Sequence, residues 1–426
     1  MTTPTQEPAL KRTRVLGFDV ARCLAILSMV FVNFDVILSM GRDKPELLRT
    51  LGNAFQGRAS ATFVTLAGVG LILLGERGTL MKRALFLFIV GYAWQVYWDG
   101  DILHYYAFYV FAGALCLGLK ARWLWLLSAA SVAVFVVCVK GVSMGDFELE
   151  PVVDYGAGWK WMTLEYTEFW TVKGQARNLF FNGWHPLFPW LAFLFCGMAL
   201  GKWGVEAAMK RRVALVASAA VFFLARSLSE AWTQTEGAEG EGWGGWSQWY
   251  LQPEAFWALD SIPPGPLYVL SAGASAVFVI ALCLELTSPS TRRRWWLGCL
   301  SVLGLGVWIA FGESESSGLQ GVSDAAFFAL ISAVGALLID TCSGALSRCG
   351  QLAFTLYLAH VLFLYVFLQP VMEHLIDERV LSRRSVLLVS ATGTLVFDLF
   401  AILFANRWRA SYRRGPVEAV MRKLTG

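Results

Sequence analysis

Long apolar runs, separated by shorter polar segments, form the main pattern of this chain. Most runs are about 20 residues long, the length of a helix that crosses ~30 Å of hydrocarbon at 1.5 Å per residue. The pattern predicts an all-α, polytopic integral membrane protein with about twelve transmembrane helices. The apolar runs lie at 15–40, 56–75, 81–98, 102–119, 122–140, 184–202, 211–230, 263–286, 295–312, 322–341, 350–371 and 384–404.

The composition supports a membrane protein and excludes an ordinary soluble domain. Of the 426 residues, 57% are hydrophobic and 15% are charged, whereas soluble domains carry about 25% charged residues. The lipid bilayer is therefore the partner that the composition indicates. The chain has no long basic run, so we expect no nucleic-acid partner.

The eight cysteines and the N-terminal segment narrow the picture further. No cysteine pair has C-x-x-C spacing, and the cysteines lie in apolar runs or at their ends, so we predict no disulfide and no cysteine metal site. The first apolar run, 15–40, is too long for a signal-peptide core. We expect it to remain in the protein as its first helix.

The charges of the loops indicate which side of the membrane each loop faces. With the N-terminus inside, every predicted cytoplasmic segment is basic, as the positive-inside rule expects, although two shorter outer loops are basic too. We predict cytoplasmic tails at 1–14 and 405–426, and a single transmembrane helical domain at 15–404. The long acidic outer loops, 141–183 and 231–262, should fold over the outer surface as short helices or lids.

Ionisable residues in a membrane helix are functional candidates, because each costs about 2.5–3.5 kcal/mol at the helix centre. In the first helix, Asp19 and Arg22 are three residues apart and can pair on one face. Asn33 returns to nearly the same face about 16 Å further out. Two interpretations stay open: a structural ion pair with a packing Asn, or a polar line from the cytoplasmic side toward mid-membrane.

Two histidines lie at the predicted outer starts of helices. In "WDGDILHYY", Asp101 and His104 are three residues apart, and a carboxylate beside an imidazole raises its basicity, as a general base requires. In "FNGWHPLFPW", His185 follows Asn182 and Trp184. Interfacial residues without a chemical role remain the alternative for both clusters.

Two further histidines lie near the C-terminal end of the chain. His360, in "LAFTLYLAHVLFLY", falls near the middle of a predicted helix and needs a partner, either Tyr357 or a group on another helix. Packing and function are both open for it. His374 should be solvated in an outer loop. The signatures of common soluble enzymes, such as a Walker-type loop or G-x-S-x-G, do not occur.

Several segments together resemble a known family. They occur along nearly the whole chain, in this order: "RVLGFDVARCLAILSMVFVN", "GRASATFVTLAGVGLIL", "DILHYY", "NGWHPLFPWLAFLFCGMALGK", "TLYLAH" and "RRGPVEAVMRKL". The chain resembles the YeiB-like family of bacterial membrane proteins, which looks related to heparan-α-glucosaminide N-acetyltransferase and to the transmembrane acyltransferases.

The resemblance implies acyl transfer across the bilayer, from cytoplasmic acetyl-CoA to a sugar amine on the far side. Asn33 in "MVFVN" falls on an active-site Asn of the acetyltransferase branch. That branch has its catalytic His in the first outer loop, but 40–55 here contains no His, so His104 or His185 would have to serve. Cys23 also stands where the family usually has Gly.

We therefore predict an acyltransferase in the bacterial inner (plasma) membrane. It would move an acyl group from an acyl-CoA, such as acetyl-CoA, to an extracytoplasmic sugar, lipid or other small-molecule acceptor, and no metal is expected. The donor-binding residues would include an arginine that meets the CoA phosphates. The predicted catalytic residues are Asp101, His104, His185 and Asn33; the donor-binding residues are Asp19 and Arg22; the substrate contacts are Asn182, Trp184 and His360.

A transporter or exporter of small molecules or lipids is the alternative. Twelve helices and buried charges suit that function equally well. Against the commonest twelve-helix transporters, the longest loops here are outside and the link between the sixth and seventh runs is short. The sequence leaves the oligomeric state open, a homodimer included.

Overall fold

The computed structural model describes most of the chain. Most of the loop 231–262, the apolar run 295–312 and most of the run 322–341 lie outside the described residues. The described residues are 14–39, 51–52, 54–98, 100–144, 147–150, 152–153, 159–160, 165–234, 257–288, 335, 337–378 and 386–426.

Within these residues, the predicted apolar runs form helices. A helix pairs the backbone N–H and C=O groups of a run with each other, and its apolar side chains can face either lipid or other helices. A π-helical segment, Asn178–Asn182, follows the helix Val172–Arg177, and a second, Leu364–Leu368, joins the helices Ala353–Phe363 and Gln369–Asp377. The helices are α1 Leu16–Ser39, α2 Arg58–Leu74, α3 Arg77–Trp94, α4 Leu103–Cys116, α5 Ala121–Lys140, α6 Val172–Arg177, α7 Leu187–Trp203, α8 Ala208–Gln234, α9 Pro266–Leu286, α10 Ala353–Phe363, α11 Gln369–Asp377, α12 Val386–Ser411 and α13 Pro416–Thr425.

The helices make this a multi-pass membrane protein. By length and composition, six spans in the described residues can cross a bilayer, and a seventh counts if α6 with its π-helical segment is joined to α7, across a bend of 47°. Helices α2 and α4 are apolar but shorter. The total of twelve spans and the cytoplasmic termini stay predictions.

The loop 141–183, predicted to lie on the outer side, differs from its predicted form. Two antiparallel ladders occur in it: β1 Val142–Met144 pairs with β2 Phe147–Leu149, and β3 Trp159–Lys160 pairs with β4 Glu165–Tyr166. In the described residues of this loop, the expected helical structure is α6 and the π-helical segment that follows it. The Thr171 hydroxyl caps the start of α6 by accepting a hydrogen bond from the Gly174 N–H.

Small residues set the closest helix contacts. A Cβ at Gly197 would overlap the carbonyl of Thr65, and a Cβ at Gly68 would overlap the carbonyl of Leu194. These two glycines let α2 and α7 approach backbone to backbone, as small residues do in membrane helix pairs. Gly91 does the same for α3 and the start of α4, because a Cβ there would meet the backbone of His104.

Helix α1 lies at the centre of the bundle, in contact with α2, α9, α10 and α12. At one end of the bundle, called here the Arg22 end, α1 and α3 begin and α2 ends. At the other, the Asn33 end, α1 and α3 end, and α2, α4, α7 and α9 begin. Arg22 and Asn33 therefore mark opposite ends of one central helix.

The C-terminal segment 405–426, expected to be a tail, is helical. Helix α12 runs on to Ser411, and α13 packs against α3 and α10. The Glu418 carboxylate on α13 accepts hydrogen bonds from the Phe354 N–H (2.9 Å) and from the Thr355 N–H (3.1 Å) and hydroxyl (2.5 Å). The two N–H groups belong to the first turn of α10, whose backbone donors have no partner within the helix, so α13 supplies a cap to another helix.

Candidate active site

A cavity of about 490 Å³ opens at the Asn33 end of the bundle. Its wall combines aromatic rings with amides, hydroxyls and an imidazole, the mixture that binds a partly polar small molecule. Three predicted site residues, Asn33, Trp184 and His185, share this cavity. The lining consists of Val32, Asn33, Val36, Ile37, Gln56, Gly57, Ser60, Val96, Tyr97, Trp98, Gly100, Trp184, His185, Trp190, Ser261, Ile262, Tyr365 and Gln369.

Asn33 is held from behind by His360. The Asn33 Nδ2 atom lies 2.9 Å from His360 Nε2, a contact between residues 327 positions apart in sequence. An Asn amide has two N–H donors. If one donates to Nε2, the other remains for a ligand in the cavity, which Asn33 lines. His360 itself is fully buried and does not line the cavity.

Helix α10, which carries His360, is fixed to the start of α4. The Tyr357 hydroxyl donates to Asp101 Oδ1 at 2.9 Å and accepts from the Ile102 N–H at 3.1 Å. Tyr357 is three residues before His360, and their rings are 5.1 Å apart between centroids. The expected contact between these two residues is present, while the hydrogen bond of His360 Nε2 is made to α1.

Asp101 serves mainly as the cap of α4. Its Oδ2 accepts from the N–H of Leu103 at 2.8 Å and of His104 at 3.3 Å, in the manner of an N-terminal helix cap. The His104 Nδ1 atom lies 3.7 Å from the same oxygen, too far for a normal hydrogen bond.

His104 is enclosed by protein. Its Nε2 atom is 3.2 Å from the Gln95 amide nitrogen, and the side chains of His104 and Asp101 are 1% and 0% exposed. Neither residue lines the cavity, so the structure places the predicted carboxylate–imidazole pair behind the wall.

His185 reaches the cavity from the segment that precedes α7. Its backbone carbonyl accepts from the Tyr109 hydroxyl at 2.6 Å, and its ring lies edge-on to Trp190, with centroids 4.6 Å apart. The Tyr105 ring is 6.1 Å from His185 and 3.6 Å from His104, centroid to centroid. The two histidines therefore flank one tyrosine, with His185 on the cavity side.

Asn182 takes part in the support of this segment. The buried Asn182 carbonyl oxygen accepts from the Tyr166 hydroxyl, and the neighbouring Asn178 accepts from Tyr105 at 2.5 Å. Burial raises the pKa of Tyr166, while Arg177 acts in the opposite direction, so the phenol stays protonated and donates at neutral pH. Asn182, predicted as a substrate contact, does not line the cavity.

The Arg22 end carries a network of charged and polar side chains. Asp19 Oδ1 lies 2.7 Å from Arg22 Nη1, the pairing that the three-residue spacing predicts, and Asp19 Oδ2 lies 2.5 Å from Arg14 Nε. Ser347 and Gln351 also donate to Asp19, at 3.4 and 3.3 Å. Two arginines around one carboxylate leave a net positive charge here.

A second cavity, of about 350 Å³, opens at the Arg22 end. Its charged lining residues are Arg22, Arg83 and Glu418, and the Nε of Arg83 is buried without a hydrogen-bond partner in the described residues. The two cavities come close together along α2, since Ser60 lines the first and Phe63, one turn later, lines the second. The Tyr106 hydroxyl donates to the Phe63 carbonyl at 2.8 Å in this thin partition.

Other features lack the same combination of groups. A cavity of about 790 Å³ between α5, α7, α8 and α9 is lined almost entirely by apolar side chains. On its far side, the Glu285 carboxylate joins α9 to α8 through Arg211 and Arg212. His374, expected in a loop, is on α11 and exposed. No cluster of three metal-ligating side chains occurs in the part of the chain that the structure describes.

Sequence reasoning missed several residues of the site. Tyr109 and Glu418 bind groups that are more than 60 positions away in sequence, and Gln95 binds His104 across the turn between α3 and α4. Each of the three looks like an ordinary helix residue by itself. Another part of the site does have a sequence signal: the "TLYLAH" motif places Tyr357 three residues before His360, a spacing that predicts the contact of their rings.

Fold and site together define a multi-pass membrane protein with a polar cavity at each end of its central helix. A family model described as heparan-alpha-glucosaminide N-acetyltransferase, catalytic, matches residues 14–229, just over half of the chain. A second family model, described as a protein of unknown function (DUF418), matches residues 284–426.

The chain therefore belongs to the family of heparan-alpha-glucosaminide N-acetyltransferase catalytic domains. The two matches confirm the resemblance inferred from the sequence motifs. The matches indicate a membrane acetyltransferase-like family, and they do not identify the acyl donor or the acceptor. No curated protein and no solved structure matches the chain.

Proposed function

We propose that this protein is an acyltransferase of the bacterial inner membrane, which moves an acyl group from cytoplasmic acyl-CoA to an acceptor on the opposite side. The observation that carries the proposal is that Asn33 and His185 share one cavity at one end of α1, while Arg22 and Arg83 line a second cavity at the other end. The family match supports acetyl as the acyl group.

The Arg22 end is the proposed donor site. The diphosphate and the 3′-phosphate of CoA carry several negative charges, and arginine binds phosphate through paired N–H donors. Arg83 has a buried donor atom without a partner in the described residues. An extended pantetheine arm would carry the thioester through the thin partition near Phe63 and Tyr106, toward Asn33.

The Asn33 end is the proposed acceptor site. Aromatic rings such as Trp98, Trp184 and Trp190 pack on the apolar faces of a sugar or a similar acceptor, while the amides and hydroxyls of the wall bind its polar groups. A lipid or another small molecule with an amine or hydroxyl is compatible with the same wall.

The proposed reaction uses Asn33 and His185. An imidazole nitrogen of His185 takes the proton from the acceptor amine or hydroxyl, whose nucleophile attacks the thioester carbonyl. The free N–H of Asn33 stabilises the oxyanion that forms. The C–S bond then breaks, and the CoA thiolate leaves and receives the proton from the His185 imidazolium. The products are the acylated acceptor and CoA–SH.

Donor binding can be tested before the acceptor is known. We expect acetyl-CoA to raise the thermal unfolding temperature of the detergent-solubilised protein, and the Arg83→Ala variant to weaken this binding about tenfold, the loss expected of one phosphate contact. Arg413→Ala, an exposed arginine outside both cavities, is the matched control. Equal stabilisation of wild type and Arg83→Ala would contradict the proposed donor site.

Acyl transfer itself is tested with radiolabelled acetyl-CoA and a panel of amino sugars, neutral sugars and lipid extracts. A labelled acceptor together with released CoA supports an acyltransferase. If a compound crosses proteoliposomes unmodified, and no acceptor in the panel is acylated, the protein is a transporter and the proposed function is wrong.

A further inference from the structure

His360 is the buried histidine nearest to the proposed site, and its surroundings do not suit a base. It is fully buried behind the cavity wall. Its Nε2 is 2.9 Å from the Asn33 amide nitrogen, and the backbone carbonyls of Leu356 and Tyr357 interact with the ring. An acceptor in the cavity would meet Asn33 before it could meet this imidazole.

An amide that stabilises an oxyanion must have its N–H, and not its carbonyl oxygen, directed at the reacting atom. The amide of Asn can flip by rotation about its last bond, which exchanges the two. The backbone carbonyls of Leu356 and Tyr357, on the preceding turn of α10, favour a proton on Nδ1 of His360, and Nε2 is then only an acceptor. That acceptor selects the orientation in which the Asn33 nitrogen points toward His360 and the second N–H is free.

The ring of His360 is itself held in place. Phe34, Phe397, Trp98 and Tyr357 surround it, with centroid distances from 5.1 to 6.5 Å. Tyr357 also clamps α10 to Asp101 and to the Ile102 N–H on the approach to α4. Residues on three different helices therefore set the position of one imidazole.

We infer that His360 is a positioning residue, which fixes the Asn33 amide with one N–H directed into the cavity. The inference rests on the proposed function for its catalytic consequence, and on the contact between Asn33 and His360 for its structural basis. It separates the two histidines by role: His185 exchanges the proton, and His360 orients the amide without exchanging one.

The conservative variant His360→Gln distinguishes these roles, because glutamine can accept a hydrogen bond from Asn33 but cannot act as a base near neutral pH. We expect His360→Gln to keep turnover within about threefold of wild type and His360→Ala to lower it about 100-fold, the loss typical of a misplaced catalytic group. The acid limb of the pH–rate profile should remain in His360→Gln. The matched control is His374→Gln, on the exposed face of α11, with unchanged turnover.

A result in which His360→Gln is as inactive as His360→Ala and loses the acid limb would overturn the inference, because His360 would then be the base. The contact is tested without any activity by thermal unfolding of Asn33→Ala, His360→Ala and the double variant. Non-additive losses of stability show that the two side chains interact. Additive losses overturn the inference even if acyl transfer occurs, whereas non-additive losses without acyl transfer leave the contact and refute only the proposed function.

Discussion

Two histidine regions of this protein look alike in sequence and differ in structure. Around His104, the Asp101 carboxylate already accepts hydrogen bonds from the first N–H groups of α4 and from the Tyr357 hydroxyl. Protein encloses the His104 ring. Around His185, the ring lines a cavity that it shares with Asn33. A nearby carboxylate therefore does not identify a base, because its oxygens can be required by the backbone.

The two regions also differ in charge. Asp101 lies at a helix N-terminus, where unpaired N–H groups and the helix dipole favour an anion. The described wall of the cavity is built from neutral groups and one imidazole. We interpret the first region as a structural joint between α4 and α10, and the second as the place where chemistry occurs.

Apart from loss of the proposed base His185, the largest effect is expected for the Asn33→Ala variant. Removal of one oxyanion donor typically lowers turnover by about 100- to 1,000-fold, and we expect a loss of that size in acetyl transfer. The variant also leaves Nε2 of the buried His360 without its partner, so the unfolding temperature should fall as well, and turnover is compared below the unfolding temperature of the variant. A loss of turnover below about threefold would mean that the two regions do not differ in the way proposed.

The Asp101→Asn variant should mainly lower the free energy of unfolding. The amide would keep one acceptor oxygen but present an N–H₂ group to the donors around it, so a buried hydrogen bond is lost at a cost of about 1–3 kcal/mol. Chemical denaturation in detergent measures this change in the free energy of unfolding. The control is Glu373→Gln on the exposed face of α11, with a change near zero. Unchanged stability of Asp101→Asn would contradict the structural joint.

A smaller effect is expected for Glu418→Gln at the start of α10. The neutral amide weakens the cap that α13 provides to the N–H groups of Phe354 and Thr355, and loss of a helix cap costs about 0.5–2 kcal/mol. The same denaturation experiment follows it. Glu418 lines the cavity of the Arg22 end and not the cavity of Asn33, so turnover should fall by less than in Asn33→Ala. An equal fall would show that α13 has a direct catalytic role.

The sequence predicted contacts within one helix better than contacts between helices. The Asp19–Arg22 pair followed from a spacing of three residues, and it is present. The Asn33–His360 contact joins residues 327 positions apart, and periodicity contains no information about which helices meet. The cap that Glu418 provides to α10 also joins residues that are far apart in sequence, so periodicity does not predict it.

A local sequence pattern can fit two structures, and here it gave a wrong emphasis for Asp101. Asp101 three residues before His104 is equally the pattern of a helix cap and of a carboxylate–imidazole pair. Only the positions of the backbone N–H groups decide between them. The β-ladders in the loop 141–183 were not expected either, because each strand is only two or three residues long and carries no detectable alternation.

The most direct test of the account compares His185→Gln with His104→Gln in the same acetyl-transfer assay. If His185 is the base, His185→Gln should lower turnover by about 100- to 10,000-fold. His104→Gln places an amide beside Gln95, which can replace the contact that His104 makes there, so its turnover should stay within about tenfold of wild type. A large loss in His104→Gln with normal turnover in His185→Gln would contradict the central claim.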